Sequence, residues 1–170
     1  MIEMAVRLIS EQGVASLSIA EVARAMEIDR TTVYYHFKSR DALVQEVKAW
    51  ASAQLSKAFD FEAPLEERID YTTRYVLENS ELVKLWIDDF IAVGDIRKSF
   101  PFWDKMIEGF RPKSENSEHP IDAEVYFINL LTSAIIGPRV FKNSVLPSVD
   151  IETVVRRFRV ERLRLLGTNG

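Results

Sequence analysis

Apolar side chains recur every three or four positions along most of the chain, and this spacing predicts amphipathic helices rather than strands. The first stripe runs from Ile2 to Ile9, and Gly13 is placed to end this helix in a left-handed turn. Residues 111–120, which hold two prolines, predict a solvated loop, and Gly137-Pro138 should end or kink the helix that precedes it. The pattern therefore indicates an all-α fold, with longer helices predicted over residues 65–79, 81–93, 95–110 with a break, 121–137 and 151–166.

Polar residues mark the helix starts in the N-terminal part of the chain. Ser18, with Glu21 three residues later, fits a capping box, and a short helix follows it. After a turn of about three residues, Asp29 can cap a third helix, and Ser39 can cap a fourth over residues 40–58. Two capped helices of about eight residues are too short to be stable alone, so they must pack on each other and on a neighbour. This arrangement is a helix-turn-helix.

Composition narrows the class of protein. The 170 residues are 47% apolar and 28% charged, as in an ordinary globular protein. The absence of cysteine excludes disulfides, zinc ribbons and iron–sulfur clusters, and neither a signal peptide nor a membrane-spanning stretch is predicted. We therefore expect a cytoplasmic protein with no membrane partner.

Candidate catalytic groups are sparse. The only histidines are His36 and His119, which makes a zinc site within one chain improbable. Asp88 and Asp89 are adjacent on a predicted helix and so point about 100° apart, which excludes a carboxylate dyad. Phosphate loops, nucleophile elbows and dinucleotide fingerprints do not occur. No enzyme activity and no cofactor are predicted.

The second helix of the helix-turn-helix has the composition of a surface that contacts DNA. Val33 is placed to be buried, while the outward positions mix hydrogen-bond donors with flat aromatic rings. The net charge of −4 argues against a nucleic-acid coat over the whole surface, but charge acts locally, and residues 30–40 hold three basic side chains and no carboxylate. The outward positions are Arg30, Thr31, Thr32, Tyr34, Tyr35 and His36.

Residues 6–47 resemble the DNA-binding domain of the tetracycline-repressor (TetR) family of bacterial transcription regulators. The resemblance is specific at Gln12-Gly13, at residues 18–23 and above all at residues 32–43, where the sequence TVYYHFKSRDAL follows the family pattern. Three departures stand out: Glu27 replaces a frequent turn glycine, Arg40 replaces the usual lysine, and this sequence does not show the basic arm that many relatives carry ahead of the first helix. From the third departure we expect either weaker binding to DNA or a sequence that begins inside a longer chain.

Chemistry and the resemblance together suggest roles for nine residues. Arg30 and Thr31 are expected to enter the major groove, where arginine can bond guanine with two hydrogen bonds. Thr32 and Tyr35 could contact either bases or phosphates. As alternatives, His36 could be a partly buried interhelical residue, Tyr34 a packing aromatic, and the basic residues a solvated face. The phosphate contacts are expected from Tyr34, His36, Lys38, Arg40 and the capped helix start at Ser18.

The resemblance implies two domains, a DNA-binding domain over residues 1–50 and a helical ligand-binding and dimerisation domain over residues 51–170. The ligand is expected to be apolar or aromatic, although a cluster of aromatics is as readily a core as a pocket wall. Its candidate contacts are Tyr75, Trp86, Phe90, Trp103, Tyr126 and Asn129.

The resemblance implies that the last two helices pair with those of a second subunit as a four-helix bundle. The side of the final helix that carries Phe158, Leu163 and Leu166, with Val155 at its edge, is the predicted contact, and a second nucleic-acid contact by its arginines is the less favoured alternative.

The hypothesis is thus a homodimeric repressor that a small-molecule ligand releases from a palindromic double-stranded DNA operator. The alternatives are a helical ligand-binding protein or enzyme with a vestigial helix-turn-helix, or a protein–protein adaptor that uses the aromatic cluster.

Overall fold

The computed structural model describes residues 1–56, 62–100, 102–115 and 121–167. All of the regular structure in these ranges is helical, which confirms the all-α prediction. In none of the described helices is an apolar stretch long enough to cross a membrane. The helices are α1 (Ile2–Gln12), α2 (Ile19–Ala25), α3 (Arg30–His36), α4 (Arg40–Leu55), α5 (Leu65–Glu78), α6 (Ser80–Ile91), α7 (Ile96–Ser99), α8 (Trp103–Glu115), α9 (Ala123–Val140) and α10 (Ile151–Leu165).

The chain divides into two compact units, and their boundaries differ from the predicted domains of residues 1–50 and 51–170. The first unit comprises Met1–Gln54 and Asn79–Gly94, and the second comprises Leu55–Glu78 and Asp95–Gly170. Helix α6 therefore belongs with the N-terminal helices, because it packs on α1. Apolar spacing shows which side of α6 is buried but not which helix covers it, so the sequence alone did not place α6 in this unit.

The first unit is built on a core to which each of its helices contributes. Helix α1 buries Ala5 and Ile9, α4 buries Leu43 and Val47, and α6 buries Leu82. Gly13 ends α1 with φ 81° and ψ 162°, a conformation that is open essentially only to glycine. The predicted end of α1 at Gly13 is confirmed, but Gly13 has an extended ψ and does not form the predicted left-handed turn.

In the second unit, α10 and α9 pack against α5, and α8 packs against α9. The core centres on Phe127, Ile135 and Val154. Where α9 meets α10, a Cβ built on Gly137 would lie 3.1 Å from Cε1 of Phe158, so the glycine permits a close approach of the Phe158 ring. Asp122 and Asp150 cap α9 and α10 by accepting hydrogen bonds from backbone N–H groups in their first turns.

The structure corrects the predicted loop after α8 and the predicted helix end at Gly137. Helix α8 continues to Glu115, so residues 111–115 of the predicted loop are helical, while residues 116–120 lie outside the described residues. Helix α9 does not end at Gly137 but runs through Pro138 to Val140 and then widens into a π-helical turn over Phe141–Val145, so the helix end expected at Gly137-Pro138 is wrong. A proline inside a helix costs one hydrogen bond and a steric clash, but tertiary packing offsets this cost, and Pro138 is buried in the core of the unit.

Candidate nucleic-acid interface

Helices α2 and α3 begin at the predicted caps. The hydroxyl of Ser18 accepts a hydrogen bond from the backbone N–H of Glu21 at 3.1 Å. The carboxylate of Asp29 accepts two hydrogen bonds from Thr31, one from its backbone N–H at 2.8 Å and one from its hydroxyl at 2.7 Å. The bonds from Thr31 hold the pKa of Asp29 below its ordinary value of 3.8. The starts of both short helices are therefore fixed by their own side chains.

The turn between α2 and α3 places one non-glycine residue in the left-handed region. Glu27 has φ 55°, the conformation anticipated from the glycine that often stands at this position in the family. The backbone N–H of Ile28 reaches back to the carbonyl of Ala23 at 3.0 Å, and that of Glu27 to Arg24 at 3.2 Å, which closes α2. Left-handed backbone costs an L-residue about 1–2 kcal/mol. The packed helix pair retains this strained turn.

Helix α3 buries one residue and presents the rest to solvent. Val33 is fully buried, and it anchors α3 against α2. Tyr34 is 50% exposed and Tyr35 is 75% exposed, which is unusual for large aromatic side chains. His36 is exposed as well, so the alternative of a partly buried interhelical residue is wrong. All six predicted outward positions are exposed, namely Arg30, Thr31, Thr32, Tyr34, Tyr35 and His36.

The exposed ring of Tyr35 lies beside the ring of His36 and the cationic group of Lys38 at the end of α3. The rings of Tyr35 and His36 meet edge to face with their centroids 5.3 Å apart. The Nζ atom of Lys38 lies 6.0 Å from the centre of the Tyr35 ring. Donors, flat rings and positive charge therefore share one exposed surface, a combination that suits both the base edges and the phosphates of DNA.

Ser18 and Arg40 are engaged within the protein. The Ser18 hydroxyl caps α2 and is therefore already hydrogen-bonded. The expected phosphate contact at this helix start would thus be made by backbone N–H groups. The guanidinium of Arg40 donates to the backbone carbonyls of Leu17 and Val14, each at 2.8 Å. Sequence spacing gave no sign of these bonds, because they join residues more than 20 positions apart.

The candidate ligand residues are divided between the two units. Trp86 and Phe90 lie on α6 in the first unit, and Tyr75 and Trp103 lie in the second, where the Trp103 and Phe127 rings are 5.1 Å apart. Both tryptophans are buried. Burial raises the pKa of the Tyr75 hydroxyl above its ordinary value of 10.0.

Two further candidates lie on α9. Tyr126 is half-buried, whereas Asn129 is exposed on the outward side of the helix. A cavity of about 330 Å³ in the second unit is lined by charged groups of α5 and α10, among them Asp70, Arg156 and Arg159, and by none of the six candidates.

Helix α9 has a second apolar side that the sequence analysis missed. Val125 and Ile128 are 53% and 47% exposed, and Val140, Asn129 and Thr132 are also exposed at helical spacing along the same side. The opposite side is the buried one. A signal was present in the sequence, because α9 is apolar on both sides and such a helix has to cover its second side.

The predicted contact side of α10 needs correction. Val155 is buried in the core of its own chain. Phe158 is half-buried and packs edge to face on Phe141 of its own chain with the ring centroids 5.9 Å apart, and Leu163 and Leu166 are also half-buried. Arg159 pairs with Asp70 at 2.7 Å. The exposed side of α10 instead carries Arg157, Val160, Glu161 and Arg164.

Comparison with known proteins identifies the N-terminal part of the chain. Residues 1–47 match the family described as bacterial regulatory proteins, tetR family. Over 46 residues the chain is 41% identical to the HTH-type transcriptional regulator AcrR of Shigella flexneri, an alignment that covers 27% of this chain and 21% of the relative. Over 115 residues it is 24% identical to the HTH-type transcriptional repressor Rv3405c of Mycobacterium tuberculosis, which covers 68% of this chain and 59% of the relative.

The resemblance of the fold covers nearly the whole chain. A crystal structure of a transcriptional regulator from Aquifex aeolicus superimposes with a TM-score of 0.64 over 97% of this chain and 96% of that chain, at 18% sequence identity. The fold is therefore shared well beyond the helix-turn-helix. By contrast, the chain spans about a fifth and about three fifths of the lengths of the two relatives matched by sequence.

Proposed function

Because the chain belongs to the TetR family of bacterial regulatory proteins, we propose that it is a sequence-specific DNA-binding transcriptional regulator. The observation that carries this proposal is α3, which is capped at its start, anchored by one buried valine and exposed everywhere else. A helix of this kind fits the major groove of B-DNA, which is about 12 Å wide. We further propose that it acts as a repressor, as the name of the relative from Mycobacterium tuberculosis states for that protein. A regulator that binds bacterial DNA works in the cytoplasm.

The exposed surface of α3 divides into residues that read bases and residues that hold phosphates. Arg30 and Thr31 lie in the first turn, the part of a recognition helix that enters the groove. Arg30 contacts guanine, and a two-bond contact of this kind discriminates between bases by about 1–3 kcal/mol. Tyr34, His36 and Lys38 hold phosphates, while Thr32 and Tyr35 contact either group. The backbone at Ser18 adds a further phosphate contact.

Two copies of the chain bind one palindromic operator. A single recognition helix of seven residues covers too little DNA for specific affinity, so a second copy is required. The subunit contact involves the outward apolar side of α9, with Val125 and Ile128, and the exposed side of α10, with Val160. Covering these apolar groups removes them from water, and the neighbouring Arg164–Glu161 ion pair gives the contact a charged rim.

A small molecule regulates the affinity for DNA. Within the second unit, the proposal rests on half-buried Tyr75 and Tyr126 and on buried Trp103, each of which offers aromatic surface with one polar group. An apolar or aromatic compound suits such surroundings. To act as a switch, it must bind the DNA-competent and the released states with different free energies.

Selection from a pool of random duplex DNA tests the proposal. The wild-type chain should enrich a palindrome, and the exposed α8 variant Lys105→Glu should enrich the same palindrome as a control for charge reversal. Arg30→Glu should lose the enrichment, because its carboxylate would repel the groove. A wild-type protein that enriches no sequence would instead favour a ligand-binding protein with a vestigial helix-turn-helix.

A further inference from the structure

The guanidinium of Arg40 makes hydrogen bonds within its own chain that a role as a phosphate contact does not explain. It is the first residue of α4, and its Nε donates to the carbonyl oxygen of Leu17 while its Nη2 donates to that of Val14, each over 2.8 Å. Its third nitrogen, Nη1, lies 3.9 Å from the Asp41 carboxylate, a group that would repel a phosphate. The guanidinium is thus directed toward backbone and carboxylate oxygens of its own unit.

The two carbonyls that accept these bonds lie at the two ends of a short helical turn. Residues Val14–Ser16 form a single 3-10 turn that ends at Leu17, and the carbonyl of Val14 accepts the backbone N–H of Leu17 at 3.2 Å in addition to the bond from Arg40. The guanidinium supplies donors to both oxygens and so caps the turn. The side chain of Leu17 is buried, so this segment is fixed from the core as well as through its backbone.

The bonds join the two ends of the helix-turn-helix. Leu17 directly precedes Ser18, the cap of α2, and Arg40 directly follows Ser39, which caps α4 by accepting the N–H of Ala42 at 3.1 Å. Everything between these ends, residues 18–39, consists of α2, the strained turn, α3 and a short connection. A planar guanidinium can hold both carbonyls at once in a fixed geometry, whereas a lysine ammonium is a single point charge on a flexible stem.

We propose that Arg40 is a positioning residue that clamps the two ends of the helix-turn-helix and thereby sets the orientation of α3 for operator binding. It acts through the backbone of Val14 and Leu17 and does not neutralise a phosphate. This inference rests on the proposed DNA-binding function, and it replaces the phosphate role expected of Arg40 from its sequence position.

Operator affinity measured as a function of salt distinguishes the two roles. Arg40→Ala and Arg40→Lys should both weaken binding about tenfold at a temperature where each variant is fully folded, and both should leave the slope of log affinity against log salt unchanged. Lys38→Ala is the matched control: as a phosphate contact, it should reduce the slope by about 0.9 per protomer.

Three outcomes would overturn the clamp. A slope that falls by about 0.9 per protomer in Arg40→Ala, with affinity rescued in Arg40→Lys, would make Arg40 a phosphate contact. A lower melting temperature with unchanged affinity in the folded variants would show only a stabilising role. Amide exchange in Arg40→Lys adds a test without DNA, since the clamp predicts faster exchange confined to residues 18–39, and unchanged exchange would refute it. If the wild type binds no duplex, the proposed function fails while the exchange experiment still decides on the clamp.

Discussion

Replacing Glu27 by glycine should stabilise the first unit, because it relieves the one left-handed non-glycine residue described in the structure. The strain at φ 55° costs about 1–2 kcal/mol. Glycine removes this strain, but it lowers the free energy of unfolding by about 0.4–1 kcal/mol because the unfolded chain gains conformational freedom. The net gain in the free energy of unfolding should be up to about 1.6 kcal/mol, which for a chain of this size raises the melting temperature by up to about 6 °C.

The assay is thermal and urea unfolding of the wild type and two variants in parallel, followed by circular dichroism. Glu27→Gln is the matched control, because it removes the carboxylate from the C-terminal end of α2 but keeps the strained Cβ. The backbone argument predicts that glycine gains more stability than glutamine. Equal gains in both variants would assign the effect to charge, and a loss of stability in Glu27→Gly would refute the strain account.

Three further predictions address binding, assembly and pH. Arg30→Ala should relax the preference at one base pair of each half-site by about 1–3 kcal/mol, whereas Lys38→Ala should weaken binding to all duplexes alike, as competition titrations would show. Ile128→Glu should convert a dimer of about twice 19.6 kDa into a monomer in light scattering, while Lys105→Glu leaves the mass unchanged. Because the pKa of Asp29 is lowered on folding, its capping contribution is fully present above pH 3.8 and is lost as the pH falls through the lowered value. Asp29→Asn, which caps without titrating, should therefore show a weaker acid dependence of unfolding than the wild type, and equal dependence would contradict the assignment.

The helix-turn-helix was predictable because its determinants are local. Ser18 and Asp29 cap helices through groups two or three residues away. The left-handed conformation of Glu27, by contrast, was suggested by the glycine that is frequent at this position in the family that the sequence resembles. Val33 is buried because it is the apolar residue on the inward side of a seven-residue helix. Spacing and side-chain chemistry suffice for features of this kind.

Contacts between distant residues set the limit of the sequence analysis. The clamp formed by Arg40 bridges more than 20 positions, and the packing of α6 on α1 joins segments about 70 residues apart. On α10, apolar spacing correctly identified Phe158 as a packing residue but assigned it to a partner, whereas it packs on Phe141 of its own chain. Periodicity gives the side of a helix that is covered, and only the tertiary structure gives what covers it.

Hydroxyl-radical footprinting of the selected duplex tests the central claim most directly, because it reports where the protein lies along the DNA. Two recognition helices in adjacent major grooves predict two equal protected regions, related by the twofold axis of the palindrome and centred about 10 base pairs or a multiple apart. Arg30→Ala should reduce both regions together. A single protected region, or protection that is uniform along the duplex and independent of the palindrome, would contradict the claim that two copies of α3 bind this DNA.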